Sequence, residues 1–261
     1  MRRYISSAGL VMMAGCLALL CASKPGGGLN VRRAQAEEMD HPQPMDIPGL
    51  RPIIIIDPGH GGNDEGATGY DLKEKDLALD VAMRLEGQLQ KSGHTTVLTR
   101  RTDVYVPLPD RVNIANQYDH SLFVSIHFNQ SRGTPASGVE TYYAYQKLSP
   151  DFMWTGMNLL ITPSTLQLSQ GKDLAGAIQN SIAGSVPVIN RGVKAATLFV
   201  ISNVRNPAVL VEGGFVSNSF DAQQLKNLDY RDRLAAAIAD GIINFETQQK
   251  PSVIKLAKAK N

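Results

Sequence analysis

Four consecutive isoleucines, Ile53 to Ile56, run directly into Asp57-Pro58-Gly59-His60-Gly61-Gly62. A β-branched run of this kind predicts a buried strand. Proline cannot continue a central ladder and glycine permits a tight turn, so the strand stops there and delivers His60 at its end. Leu77, Val81, Leu85 and Leu89 then recur every four residues beside Ala78 and Ala82, the apolar face of a helix ended by Gly93. Thr95 to Thr99 is a short β-prone run, and Asp110 is placed to cap a short helix through Ala115. Leu122 to His127 predicts a second buried strand, and the alternating Gly138 to Tyr145 another. Lys172 to Ala183 is amphipathic and helical. Ala208 to Val211 is a third buried strand, ending at Glu212. Tyr230 to Phe245 reads as a closing helix with Leu234, Ile238, Ile242 and Phe245 on one side. Strands alternating with helices predict an α/β domain whose sheet is covered on both faces.

Charge changes the picture at the N-terminus. The chain of 261 residues carries a net charge of +2, yet Arg2, Arg3, Lys24, Arg32 and Arg33 all precede the first acid, Glu37. Beyond Ala36 the chain has 21 basic side chains, the 26 less those five, against 24 acidic ones, a net of −3. A domain of that charge gives no reason to expect nucleic-acid binding. Met1-Arg2-Arg3 is a positive n-region, Ala8 to Ala22 is apolar, and Ala34-Gln35-Ala36 fits a small-residue cleavage site. The apolar run is shorter than the ~20 residues that span a bilayer, so residues 1–36 are expected to be a signal peptide. The alternative is a lipoprotein anchored through Cys16, because Met13-Ala14-Gly15-Cys16 resembles a lipobox. Both cysteines, Cys16 and Cys21, lie in this segment, so a chain cut after Ala36 would hold a metal through His, Asp and Glu alone. Residues 37–50, with three prolines and His41, read as a linker, residues 51–247 as the catalytic domain, and residues 248–261 as a basic tail.

Three polar residues close hydrophobic strands: His60 after the first, His127 at the end of the second, Glu212 after the third. Ligands and chemistry in open α/β sheets gather at such ends. Glu74, before the amphipathic helix, adds a fourth, although an acid at a helix N-terminus is ordinary in itself. Two histidines and one carboxylate make a known catalytic zinc set, and a further carboxylate can move protons between water and a leaving group. These are the parts of an amide hydrolase.

The blocks around these residues are similar to those of the zinc-dependent N-acetylmuramoyl-L-alanine amidases, a bacterial cell-wall family also called amidase 3. They are Ile-Asp-Pro-Gly-His-Gly-Gly at 56–62, Glu-Lys-Asp-Leu at 74–77, Leu-Thr-Arg at 98–100, and Arg111 with Ala115-Asn116. Phe-Val-Ser-Ile-His-Phe-Asn at 123–129, Gly-Val-Glu-Thr-Tyr-Tyr at 138–143, Arg-Gly-Val-Lys at 191–194 and residues 207–218 follow in order. The resemblance implies a single domain with a twisted mixed sheet and helices on both faces. It implies one zinc ion on His60, Glu74 and His127, with Glu212 as the catalytic glutamate. The implied reaction is hydrolysis of the amide between N-acetylmuramic acid and L-alanine in peptidoglycan, by an enzyme exported to the periplasm or cell wall. Glu140, Asn129 and Arg111 fall in the same blocks and are expected to support the site or meet substrate. Asp57 and Ser125 could also orient the ligands.

Arg100 and Arg111 are open to two readings, binding of a stem-peptide carboxylate or bracing of the sheet edge. His94 and His120 are expected at the surface. A zinc exopeptidase acting on free peptides and an inactive wall-binding protein are the competing functions; the intact set of four residues weighs against the second. The segment from Gln146 to Gly171 is apolar and lacks glutamate, so no carboxylate plug over the zinc is expected from it.

Overall fold

The computed structural model of the protein describes residues 51–132, 136–145 and 165–249. The proposed signal peptide, the linker, most of the segment after Tyr145 and the basic tail beyond Gln249 lie outside the described residues; the first two residues assigned to the tail, Gln248 and Gln249, belong to the last helix.

In chain order the elements are β1 (Ile53–Pro58), β2 (Thr68–Gly69), β3 (Leu72–Lys73), α1 (Glu74–Lys91), β4 (Thr96–Leu98), α2 (Leu108–Ala115) and β5 (Ser121–Asn129). They continue with β6 (Val139–Ala144), α3 (Thr165–Ser185), β7 (Asn190–Ala196), α4 (Phe199–Asn203), β8 (Ala208–Phe215), α5 (Ser219–Lys226) and α6 (Leu228–Gln249). Six strands form one sheet in the order β4-β1-β5-β8-β6-β7. All neighbours are parallel except β6, which runs antiparallel to β8. The domain is thus α/β with a mixed sheet flanked by helices, as the alternation of strand and helix implied.

Alternation along the strands sorts the core into two layers. Ile54, Ile56, Val124, Ile126, Val209 and Val211 point to one face, where α1, α3 and α6 cover them with Leu85, Ile178, Ile238 and their neighbours. Ile55, Phe123 and Leu210 point to the other, under Val112 and Ala115 of α2 and Val200 and Ile201 of α4. That second cover is made of two short helices. The residues that continue its face toward the C-terminal ends of β1, β5 and β8 are Asp57, Ser125, His127 and Glu212. Apolar core gives way to polar side chains where the small helices stop.

Three expectations need correction. Asp110 does not cap α2: the N-cap is Pro107, and Asp110 lies in the first turn, because Pro109 is already suited to that turn. β8 does not end at Glu212 but runs on to Phe215. His94 is buried, with Nε2 3.1 Å from Glu246 of α6; a partner so distant in sequence leaves no local pattern. Among the described residues no helix is long and apolar enough to cross a membrane.

Candidate active site

Each of the polar strand-end residues is placed by a different local device. After β1 the chain turns through His60 with φ 58°, a left-handed conformation that is uncommon outside glycine. Two buried arginines hold that turn. Arg111 donates from Nη1 to Pro58 O (2.5 Å) and Asp57 Oδ1 (2.7 Å), from Nη2 to His60 O (2.7 Å), and from Nε to Val106 O (2.9 Å). Arg100 donates to the carbonyls of Pro58, Gly59 and Lys75. The next turn is clasped by Lys75 Nζ, which donates to Gly62 O and Asp103, while Asp103 accepts the Gly62 N–H.

Glu74 reaches the site because a hairpin throws the chain back. Tyr70 and Asp71 both have positive φ between β2 and β3, as a two-residue type I′ connection requires. The hairpin leads into α1 at Glu74. The carboxylate is held on both oxygens: Oε2 accepts the Ala67 N–H at 2.7 Å, and Oε1 the Phe128 N–H at 3.0 Å. Oε1 also lies 3.1 Å from His60 Nε2 and 2.8 Å from His127 Nδ1. The imidazole rings meet edge to face, centroids 4.9 Å apart. Burial opposes ionisation of Glu74, but the bonds from His127 and His60 outweigh it and hold its carboxyl far below the usual range. Burial likewise opposes protonation of His60, and its bonds to Glu74 and Asp64 reverse that and raise its pKa.

His60, Glu74 and His127 each offer one ligand atom, all within 4.8 Å of one another, a group that could hold a metal ion. The surroundings fit one. Two imidazole nitrogens and a carboxylate oxygen are a recognised zinc donor set. His60 Nδ1 is 2.9 Å from Asp64 Oδ2, the kind of outer contact that fixes a ligand histidine's tautomer. The backbone leaves room only for hydrogen at two points around the group. A Cβ on Gly66, where φ is +65°, would stand 2.5 Å from Glu74 Oε2 and 2.6 Å from His60 Cδ2, and one on Gly59 would run into the His127 ring.

Glu212 is the neighbour of His127 in register across β5 and β8, and Glu140 of β6 is paired with Glu212 on the other side. His127, Glu212 and Glu140 therefore form one row across three strands. The two glutamates are treated differently. Glu140 accepts from Asn129 Nδ2 (2.9 Å), Tyr142 OH (2.7 Å), Arg191 Nε (2.7 Å) and Lys194 Nζ. Burial opposes its ionisation, and Lys194, Tyr142 and Arg191 prevail, leaving its pKa lowered. Glu212 has none of this help: Oε2 is buried without a hydrogen-bond partner, and burial pushes its pKa up to about 7.

Arg111 is bonded to backbone and to Asp57, Asp57 takes Thr99 Oγ1 and Ser125 Oγ besides, and Asn129 turns to Glu140. The first two thus bear on His60 through its turn. Asp64, Lys75, Asp103 and Gly66 were not singled out from sequence, and Gly59 was read only as the glycine of the turn. Asp64, four residues after His60 in a glycine-rich turn, carried the one local hint.

Three would-be ligand atoms clustered at the C-terminal edge of a mixed sheet, beside a carboxylate with one oxygen buried and unpaired, define a metallohydrolase-like α/β protein. Comparison with known proteins narrows this. Residues 54–244 match the family model of the N-acetylmuramoyl-L-alanine amidases, and the chain belongs to that family. It is 38% identical over 198 residues to the N-acetylmuramoyl-L-alanine amidase LytC of Bacillus subtilis, covering 76% of this chain but only 36% of that protein. A sporulation-specific N-acetylmuramoyl-L-alanine amidase of the same organism is 35% identical over 207 residues, covering 78% of this chain and 72% of the relative. The crystal structure of an N-acetylmuramoyl-L-alanine amidase from Clostridium difficile 630 superposes with a TM-score of 0.66 at 31% identity, covering 77% of this chain and 99% of that one.

Proposed function

We propose that the protein is a zinc-dependent N-acetylmuramoyl-L-alanine amidase that hydrolyses the amide between the lactyl group of N-acetylmuramic acid and L-alanine of peptidoglycan. Family membership supports the substrate, and the His60–Glu74–His127 group beside Glu212, whose Oε2 has no hydrogen-bond partner, carries the chemistry. His60, Glu74 and His127 hold the metal. When bound, zinc supplies Lewis acidity, polarising the amide carbonyl and lowering the pKa of water.

The chain's own residues do the rest. Asp64 accepts the Nδ1 proton of His60 and so keeps Nε2 free to donate its lone pair. Arg100 and Arg111 fix the turn that aims that ring. Glu212 takes a proton from the attacking water and returns it to the leaving alanine nitrogen. A base poised near neutrality suits both transfers, and a carboxylate with an unpaired oxygen is ready for the first. The products are the muramic carboxylate and a stem peptide with a free α-amine. The n-region, apolar run and Ala34-Gln35-Ala36 support export with loss of residues 1–36, to the periplasm or the cell wall, with Cys16 lipidation as the alternative.

The test is mass spectrometry of the products formed from purified peptidoglycan by the zinc-loaded protein. Free stem peptides beginning at L-alanine are expected. Fragments cut within the stem would show a peptidase instead.

A further inference from the structure

β7 contains an irregularity that the proposed chemistry does not use. Its register against β6 shifts between Val139 and Thr141, paired with Asn190 and Val193, and Gly192 there has φ +78°. In a regular strand, residues 191 and 194 would point to opposite faces. The extra residue of the bulge turns both to the same side, and both reach Oε2 of Glu140. The arrangement holds more positive charge than Glu140 can neutralise. Arg191 and Lys194 bring two cations to one carboxylate, which already has hydrogen bonds from Asn129 and Tyr142. The carboxylate is buried, whereas the Arg191 and Lys194 side chains are 31% and 37% exposed. Arg191 uses only Nε on Glu140, and its guanidinium lies over the Phe215 ring, 5.0 Å from the centroid. Among the described residues its terminal N–H groups have no other hydrogen bond. They form a held, planar fork suited to a carboxylate.

We infer that Arg191 and Lys194 form a subsite for a carboxylate of the peptide that leaves on hydrolysis, one or two residues beyond the L-alanine. This rests on the amidase reading above. Glu140 is paired directly with Glu212, and β7 lies one strand further along the same row. Adjacent strands are ~4.8 Å apart, so the backbone of β7 stands roughly 10 Å from that of β8, and both side chains lean back from it to Glu140, one strand from Glu212. An extended peptide advances about 3.3–3.6 Å per residue, which brings the second or third residue of the stem over the two cations. Glu140 fixes them in place; the surplus positive charge selects the anion.

The experiment uses the zinc-loaded protein and two synthetic N-acetylmuramoyl tripeptides. Their second residue is D-glutamate joined through its γ-carboxyl, with its α-carboxyl either free or converted to the amide. The wild-type kcat/KM is expected to be roughly tenfold higher for the free acid, the scale of a charge-assisted hydrogen bond. Arg191→Gln and, separately, Lys194→Met should bring the ratio toward one through a raised KM for the acid, with Arg191→Lys recovering part of it. Equal cleavage of both substrates by wild type would overturn the subsite and leave the amidase reading standing. Variants that slow both substrates equally would also overturn it, showing that the cations only brace Glu140. Cleavage of neither by protein with zinc bound would remove the amidase reading, and the subsite with it.

Discussion

Replacing Arg111 by methionine should unseat the His60 turn and the stability of the domain together. The substitution keeps an unbranched apolar stem and removes the guanidinium, and with it four hydrogen bonds to Asp57, Pro58, His60 and Val106. The Arg111 and Asp57 side chains are only 3% and 1% exposed, so Asp57 would be left as a buried anion. Breaking such a pair on one side typically costs ~3–5 kcal/mol. The hydroxyls of Thr99 and Ser125, 2.6 and 2.8 Å from the Asp57 oxygens, still solvate it, which argues for the lower part of that range. Of the three carbonyls that lose Arg111, that of Pro58 keeps Arg100, while the part-buried ones of His60 and Val106 lose their donor at about 1 kcal/mol each, so a total of roughly 5 kcal/mol is expected. Urea denaturation of the chelator-treated protein measures this free of metal linkage. A zinc titration against a competing chelator then reads the turn itself, with a ~10–100-fold loss of affinity expected for a residue acting through the ligand's backbone. Arg111→Lys, which retains the charge but not the fork, should fall between. The double variant Asp57→Asn/Arg111→Met should lose less than the two single changes combined, because no charge is then left stranded. A loss below ~1 kcal/mol with unaltered zinc affinity would refute the reasoning that Arg111 sets the position of His60.

Glu212→Gln should bind zinc as the wild type does while losing ~10²–10⁴-fold in hydrolysis, the usual share of general acid–base catalysis; loss of metal by this variant would make Glu212 a ligand. The same pair of proteins tests its titration. A carboxyl raised to about 7 in the fold from 4.5 favours its protonated form. Its contribution is therefore complete below pH ~4.5 and lost as the pH rises through about 7. Metal-free wild type should weaken relative to Glu212→Gln by roughly 3 kcal/mol across that window, and parallel stability curves in urea would contradict the shift. Gly66→Ala should depress metal content by elemental analysis, since the new methyl collides with Glu74 and His60 and the φ of +65° disfavours any side chain; full zinc occupancy would count against the tight cradle.

What could be read along the chain depended on whether a residue's partners are local. The central strands β1, β5 and β8 are buried on both faces and appear as apolar runs, interrupted in β5 by Ser125. The residue that closes each run, or follows it, therefore stood out as His60, His127 or Glu212. Helix α1 was legible from its four-residue spacing. Strand β7 was not: at the sheet edge its residues are half-exposed, and Asn190–Ala196 contains no apolar run. The further course of β8 was hidden by Gly213 and Gly214, where the register against β5 shifts between His127 and Asn129. Arginines 100 and 111 could not be assigned between substrate and scaffold, because most of the groups that occupy them lie 25 to 54 positions away in the chain. Asp64 and Gly66, and the closeness of Gly59 to the His127 ring, depend on a path only the fold reveals.

The scattering of the three donor residues over the chain has a consequence for how the protein would acquire the proposed zinc ion. His60 and Glu74 stand on either side of a hairpin, and His127 arrives only when β5 has paired with β1. In the unfolded chain, bringing His127 to the other two means closing a long loop, an entropic expense that rises with the logarithm of its length. A short peptide finger can grip its ion first and fold around it. Here the reverse order is expected: the scaffold assembles first, and zinc loading follows as the last step. Refolding should thus proceed in the presence of a chelator, with zinc added afterwards restoring activity.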